Sequence, residues 1–260
     1  MLYFLYCLIL YVITVFRLEL NLKENMKAGT RIQQYDAVLM DLDETLFEFR
    51  FSSRNGLEQV KKGVECLSGI ETTVLEEELW NLDRHNLPLV FSGTITPREY
   101  RKIRLRRLIM LHGYMPSENE MEKIETVYVR AFESRMKMCD GARELLEFCY
   151  DTGKPTAIIT NGDRETQLKT IRKLRIDKLI DMILTPKTQT EMKPNTPLFD
   201  HAISTFDTKR ERSVMIGDSW THDVMGAINS GIKAVWVNRK NEAVPRTVNI
   251  LEVKTVRELI

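Results

Sequence analysis

Ala37-Val38-Leu39-Met40-Asp41-Leu42-Asp43-Glu44-Thr45 decides how this chain is read. Four apolar residues in a row, bounded by an acidic turn, predict a buried strand over Ala37 to Met40. Asp41 and Asp43 then fall at its C-terminal end, the edge at which open α/β sheets bind ligands. Paired carboxylates there can hold a hard cation such as Mg²⁺, and one of them can act as a nucleophile on phosphorus. Taken alone, the pattern equally fits an acidic turn that caps a helix.

Three later stretches extend the reading. Ala157-Ile158-Ile159-Thr160-Asn161-Gly162 is an apolar strand ending in a hydroxyl and a glycine. Lys193 lies in Glu191-Met192-Lys193-Pro194-Asn195-Thr196-Pro197-Leu198-Phe199. Val214-Met215-Ile216-Gly217-Asp218-Ser219-Trp220-Thr221-His222-Asp223 is a strand ending in Gly-Asp, with a second Asp five residues on. In this order and spacing the four stretches resemble the motifs of the haloacid dehalogenase-like (HAD) hydrolases, over residues 35–260. Dehalogenases of that superfamily do not use a second Asp at the position of Asp43, whereas phosphatases and phosphomutases do.

Asp41 is the expected nucleophile, forming an aspartyl-phosphate. Asp43 is the expected general acid–base, and a neighbouring carboxylate with partial burial would raise its pKa so that it starts protonated. The resemblance implies that the Asp43 backbone carbonyl also binds the metal, so Asp41, Asp43 and Asp218 form the expected Mg²⁺ set. Asp223 is expected to orient a metal-bound water or a neighbouring side chain; its alternative is an N-cap for a helix beginning near Val224. The Thr160 hydroxyl, the backbone N–H groups of Asn161 and Gly162, and the Lys193 charge are expected to bind the phosphate. Thr45 is expected to brace the loop that carries the two aspartates.

The chain has 260 residues, room for one large domain or for a core with a smaller insert. Strand and helix patterns alternate from about Ala142 onward: helices near 142–150, 166–174, 198–206 and 224–229, strands near 156–160, 182–184, 214–216 and 234–237. This alternation predicts an α/β fold, a Rossmann-like parallel sheet with helices on both faces. Between Phe49 and residue 138 the pattern is helical, with Leu75, Leu79 and Leu82, and with Ile103, Leu105, Leu108, Ile109 and Leu111 at helical spacing. Thr96-Pro97 is a good helix start, and Asn86-Leu87-Pro88 and Gly113-Tyr114-Met115-Pro116 break the run. The resulting division is a catalytic core over 30–50 and 139–260 and a helical insert over 51–138, which the resemblance implies is a type 1 cap that closes over the site.

Formal net charge is +1, so bulk electrostatics favour neither a nucleic acid polymer nor a membrane. Cys7, Cys66, Cys139 and Cys149 are scattered without a Cys-x-x-Cys, which suits reduced thiols in the cytoplasm. Leu2 to Phe16 is almost continuously apolar, yet shorter than the ~18 residues of a usual membrane span and without the basic flank of a secretory signal. Residues 1–25 therefore read as sequence upstream of a start at Met26, as a membrane anchor that leaves the rest in the cytoplasm, or as an extra packed element. No membrane contact is expected unless residues 2–16 insert.

His85, His112 and His201 have no partner at metal-ligand spacing, and His222 is expected to be a solvated loop residue. Arg98, Arg101, Lys102, Arg104, Arg106 and Arg107 on one helix are expected to form a solvated face, with a phosphate- or nucleotide-facing edge as the alternative. Of Trp80, Phe91 and Tyr100, at least two are expected in the core of the insert, with stacking on a base as the alternative. The best reading is a Mg²⁺-dependent phosphatase of a small phosphorylated metabolite, monomeric or dimeric. Asp41 to Phe49, Ile159 to Gly162, Lys193 to Phe199, Gly217 to Asp223 and Gly93-Thr94-Ile95-Thr96 look most like the bacterial pyrimidine 5′-nucleotidases, so a nucleoside monophosphate is favoured. Phosphoglycolate-type phosphatases and sugar phosphomutases share the same residues. A non-catalytic, membrane-tethered scaffold would instead have lost a motif carboxylate, and Asp41, Asp43 and Asp218 are all present.

Overall fold

The structure is a computed structural model and describes residues 31–82, 87–243 and 250–260. The readings of residues 1–25, Cys7 and His85 lie outside these residues. Six parallel strands form one sheet, β1 (Ala37–Met40), β2 (Thr156–Ile159), β3 (Met182–Leu184), β4 (Ser213–Gly217), β5 (Lys233–Val237) and β6 (Leu251–Val253). Their spatial order is β3-β2-β1-β4-β5-β6. The chain builds outward from β1 on one side and then returns to pair β4 on the other, so β1 lies at the switch in strand order, where such sheets open a crevice.

The apolar runs are continuous because both faces of the sheet are covered. Alternation along the strands sends Val38, Met40, Ile158, Val214, Ile216, Val235 and Val237 to one core. It sends Leu39, Ala157, Ile159, Met215, Ala234 and Trp236 to the other. The first face is covered by Leu145, Leu146 and Cys149 of one helix (Ala142–Asp151) and Ile171 and Leu174 of another (Arg164–Leu174). The second is covered by Leu198, Phe199, Ala202 and Ile203 of a helix over Pro197–Thr205, with Val224 and Ala227 beside them.

Among the described residues five α-helices lie between β1 and the Ala142 helix: α1 (Phe49–Gly63), α2 (Thr72–Asn81), α3 (Leu87–Phe91), α4 (Pro97–Leu111) and α5 (Glu118–Ser134). Thr96 and Glu99 close a reciprocal capping box at the start of α4, with Pro97 in its first turn. The block has its own apolar cluster, including Leu57, Leu75, Leu105, Leu108, Met121 and Tyr128. Helices α1 and α5 pack tightly at Gly56, where a Cβ would lie 2.6 Å from the Tyr128 ring. Chain exit and return run side by side: Phe47 bridges Met138 in antiparallel fashion, the Glu48 N–H donates to the Lys137 carbonyl (3.1 Å), and the Cys139 N–H donates to that of Leu46 (2.9 Å).

Strand β6 is absent from the sequence reading: three residues with one of them charged, at the sheet edge, carry too little pattern. Cys66, Cys139 and Cys149 are free thiols. Among the described residues no helix is long and apolar enough to cross a membrane.

Candidate active site

The C-terminal ends of β1, β2 and β4 deliver Asp41, Thr160 and Asp218 to one place because the three strands are neighbours in register. The Asp41 N–H donates to the Ile216 carbonyl at 2.9 Å, which extends the β1–β4 ladder to the first aspartate. Beyond it the chain turns at once. The Leu42 carbonyl accepts from both Leu46 and Phe47 N–H, and Glu44 takes φ +64°. That turn sets Asp43 at the floor of a cavity of about 1280 Å³ between the sheet end and the helical block.

Lys193 is 3% exposed and spends all three of its N–H bonds on protein oxygens. Its Nζ donates to Asp41 Oδ1, Asp223 Oδ1 and the Ile159 carbonyl, each at 2.6 Å. Burial alone would lower the Lys193 pKa; the Asp223 and Asp41 carboxylates outweigh it and hold the group above its ordinary value. The Lys193 loop is itself clamped, since its backbone N–H donates to Asn161 Oδ1 (2.8 Å) and its carbonyl accepts from Asn161 Nδ2 (3.0 Å). The Asn161 side chain, which sequence reasoning left without a role, is thus a brace for lysine.

Oxygens of Asp41, Asp218 and Asp223 lie within 4.8 Å of one another. Burial, then the neighbouring carboxylates Asp223, Asp218 and Asp43, push the Asp41 pKa well up against the pull of Lys193. Burial, with Asp223 and Glu44, pushes Asp218 up to about 7. Three carboxylates against one ammonium leave surplus negative charge in a desolvated place, and hard oxygen donors in that arrangement suit Mg²⁺. Asp223 is already engaged at both oxygens, by Lys193 and by the Ser219 N–H (2.9 Å). It lies inside a π-helical turn, Trp220–Val224, so it is not the N-cap of the following helix, Met225–Asn229. Gly217 makes room for it, because a Cβ at that position would overlap the Asp223 carboxylate.

Thr45 reaches across to Asp218, donating from Oγ1 to Oδ1 at 3.3 Å, instead of bracing its own loop alone. Asp43 is raised to about 6, chiefly by burial, with Glu44 adding to the rise and a hydrogen bond from Gln167 opposing it. The Gly162 N–H is not directed at the cavity; it donates to Thr160 Oγ1 at 3.1 Å. Gln167 was invisible in the sequence, where it reads as one more polar residue of an amphipathic helix. Its Nε2 donates to Asp43 Oδ2 at 3.0 Å and to Thr160 Oγ1 at 3.3 Å.

On the opposite wall part of the basic face of α4 borders the cavity, while Arg98 and Arg107 are also exposed to solvent. Arg98, Arg101 and Lys102 line the cavity while pairing with α5. Arg104 donates to the carbonyls of Leu79 in α2 and of Leu82 just past its end. None of Trp80, Phe91 and Tyr100 is fully buried, and Trp80 and Tyr100 line the cavity instead of filling the core. Trp80 packs edge-on to Phe49 with the Arg50 guanidinium 4.6 Å from its ring centroid. His222 also faces the cavity, with Nδ1 3.0 Å from Ser219 Oγ, and is not a solvated loop residue. His112 pairs with Glu78 at 2.8 Å, away from the site.

A family model of the haloacid dehalogenase-like hydrolases matches residues 85–237, and the chain belongs to that family. Among curated relatives it is 25% identical over 207 residues to ribulose-1,5-bisphosphate 5-phosphatase of Halopiger xanaduensis, covering 80% of this chain and 86% of that one. It is 25% identical over 221 residues to the pyrimidine 5′-nucleotidase YjjG of Escherichia coli, covering 83% and 91%. The HAD-hydrolase YfnB of Bacillus subtilis, solved bound to magnesium, shares the fold with a TM-score of 0.67 at 23% identity, over 87% of this chain and 97% of that chain.

Proposed function

We propose that this chain is a Mg²⁺-dependent phosphatase of small phosphorylated metabolites, with nucleoside 5′-monophosphates as the favoured substrates. One observation carries the reading: Asp41, Asp43 and Thr160 converge on a single cavity floor, with Asp218 and Lys193 beside them. Asp41 attacks phosphorus, the ester P–O bond breaks, and Asp43 gives its proton to the departing alkoxide. Asp43 then takes a proton from water as that oxygen attacks the aspartyl-phosphate. The P–O bond to Asp41 breaks, and inorganic phosphate leaves.

Lys193 holds Asp41 in its attacking position and offsets part of the charge that gathers around it. The Thr160 hydroxyl donates to a phosphate oxygen. The Asp41 and Asp218 carboxylates and the Asp43 backbone carbonyl would hold Mg²⁺, which when bound neutralises the phosphate so that an anionic nucleophile can approach. Asp223 keeps Lys193 aimed between them. Residues 51–138 act as a cap over a catalytic core made of residues 30–50 and 139–260. Free thiols at Cys66, Cys139 and Cys149 support a cytoplasmic site of action.

Two observations support the nucleotide preference: Trp80 and Tyr100 on the cavity wall, and the pyrimidine nucleotidase among the relatives. A sugar phosphate is the second reading, because the ribulose bisphosphate phosphatase matches at the same 25% identity. Phosphate release should be measured with and without Mg²⁺ across nucleoside monophosphates, sugar phosphates and phosphoglycolate. Nucleotides are expected to show the highest kcat/KM. A tenfold advantage (about 1.4 kcal/mol) for a sugar phosphate would transfer the preference to that class. No Mg²⁺-dependent release from any of them would remove the phosphatase reading.

A further inference from the structure

We propose that Gln167 is the positioning residue of this site: it aims the Asp43 carboxyl and fixes the direction in which Thr160 donates. The inference rests on the phosphatase reading above. Gln167 is 3% exposed, and the two N–H bonds of its amide have two acceptors, Asp43 Oδ2 at 3.0 Å and Thr160 Oγ1 at 3.3 Å. Its Oε1 is buried and finds no hydrogen-bond donor, so the orientation of the amide is set by what its nitrogen serves.

The consequence for Thr160 follows from valence. A hydroxyl oxygen accepts two hydrogen bonds and donates one. Both acceptor positions of Thr160 are filled, by the Gly162 N–H at 3.1 Å and by Gln167. Its own hydrogen is then left to point elsewhere, and Thr160 lines the cavity. A phosphate oxygen can only accept, so this polarity is the useful one. For Asp43 the same amide pins Oδ2 and thereby fixes the plane of the carboxyl that must reach the leaving-group oxygen. One side chain so couples the proton donor for the alkoxide to the donor for the phosphoryl oxygen.

Gly162 carries independent support. It does not adopt a positive φ, so its backbone conformation does not require glycine. What requires glycine is space: a Cβ there would overlap the Gln167 amide nitrogen and lie 2.7 Å from its Cδ. The glycine that follows Thr160-Asn161 is room for Gln167.

The test uses the Mg²⁺-loaded enzyme with two substrates, p-nitrophenyl phosphate and the best alkyl phosphate from the screen above. Gln167→Met keeps the length of the side chain and removes its hydrogen bonds. We expect kcat to fall about 30-fold on the alkyl ester and about 3-fold on the aryl ester, whose leaving group needs little protonation, with KM within about twofold for both. Equal losses on the two esters, a loss carried by KM, or no loss would each overturn the inference. Should Gln167→Met not fold, Gln167→Leu carries the same expectation, since its side chain supplies no donor. A cycle with Gly162→Ala gives a second reading. Gly162→Ala should cut alkyl turnover about tenfold in the native background and less than about twofold once Gln167→Ala has removed the amide; additive losses would overturn it. A native enzyme without Mg²⁺-dependent phosphatase activity is the failure of the underlying reading, and this inference falls with it; an active native enzyme with unmoved variants sinks this inference alone.

Discussion

At the end of the sheet, the carboxylates of Asp41, Asp43, Asp218 and Asp223 surround one ammonium, Lys193. Across the same cavity, Arg98, Arg101 and Lys102 of α4 line the wall and pair with Glu122 and Glu125 of α5, and the Arg106–Glu118 pair continues the row beyond it. The first region holds charge out of balance in a largely buried place at the cavity floor, an arrangement costly to folding and useful for handling a cation and a phosphate. The second holds charge in balance at a rim, where it fixes two helices to each other and leaves little net field for a ligand. On the proposed reading, chemistry is assigned to the unbalanced wall, and selection by shape and aromatic surface, through Trp80 and Tyr100, to the balanced one.

The sharpest way to break this contrast is Asp41→Asn. Turnover should fall by at least about 10³-fold while circular dichroism is unchanged, because the amide cannot serve as an anionic nucleophile yet fills the same space. Retained activity would take the chemistry away from the sheet end. Chelation comes next. Dialysis against EDTA should lower phosphate release at least about 100-fold, with recovery on adding Mg²⁺. The cation should also raise Tm, since it binds the folded carboxylates and relieves their repulsion. A Tm indifferent to Mg²⁺ would mean that the excess negative charge is not where the ion goes.

Asp43→Asn should cost the alkyl phosphate at least about tenfold more than p-nitrophenyl phosphate, as expected of a proton donor to a poor leaving group. The smallest effect on catalysis belongs to the other wall. Glu125 is buried beneath Arg98 and Arg101, and Glu125→Gln should lower stability by about 1–3 kcal/mol in urea melts. Its kcat/KM on p-nitrophenyl phosphate should stay within about threefold of native. A large loss there, with stability intact, would mean that the rim charges act on the substrate after all.

The same division governs what the sequence disclosed. The bounds of β1 and β3 could be read directly, because each is an apolar run stopped by a charged or turn residue. Asp41, Asp43, Thr160, Lys193 and Asp218 could be singled out because each follows a strand or lies in a loop beside one. Gln167 could not, since its partner Asp43 is 124 residues away and nothing local distinguishes it from a solvated glutamine. Nor could spacing alone decide between a solvated face and a cavity edge for the α4 basic residues. Helical spacing gives a face, but only the packing of α4 against α5 decides which face meets the cavity. Trp80 and Tyr100 illustrate the same limit: large aromatic residues at helical spacing look like core until the neighbouring helices are in place.

The linkers at Phe47 and Met138 have a consequence for ancestry. Where the chain leaves β1 and where it returns are adjacent, joined by a bridge and by the Cys139-to-Leu46 hydrogen bond. A segment whose ends meet in this way can be lengthened, shortened or exchanged without stretching the strands that flank it, since the host is asked only to keep its ends together. The machinery at the sheet end and the helices that face it are thus free to diverge at different rates. Relatives as unlike in substrate as a ribulose bisphosphate phosphatase and a pyrimidine nucleotidase are what such an arrangement permits.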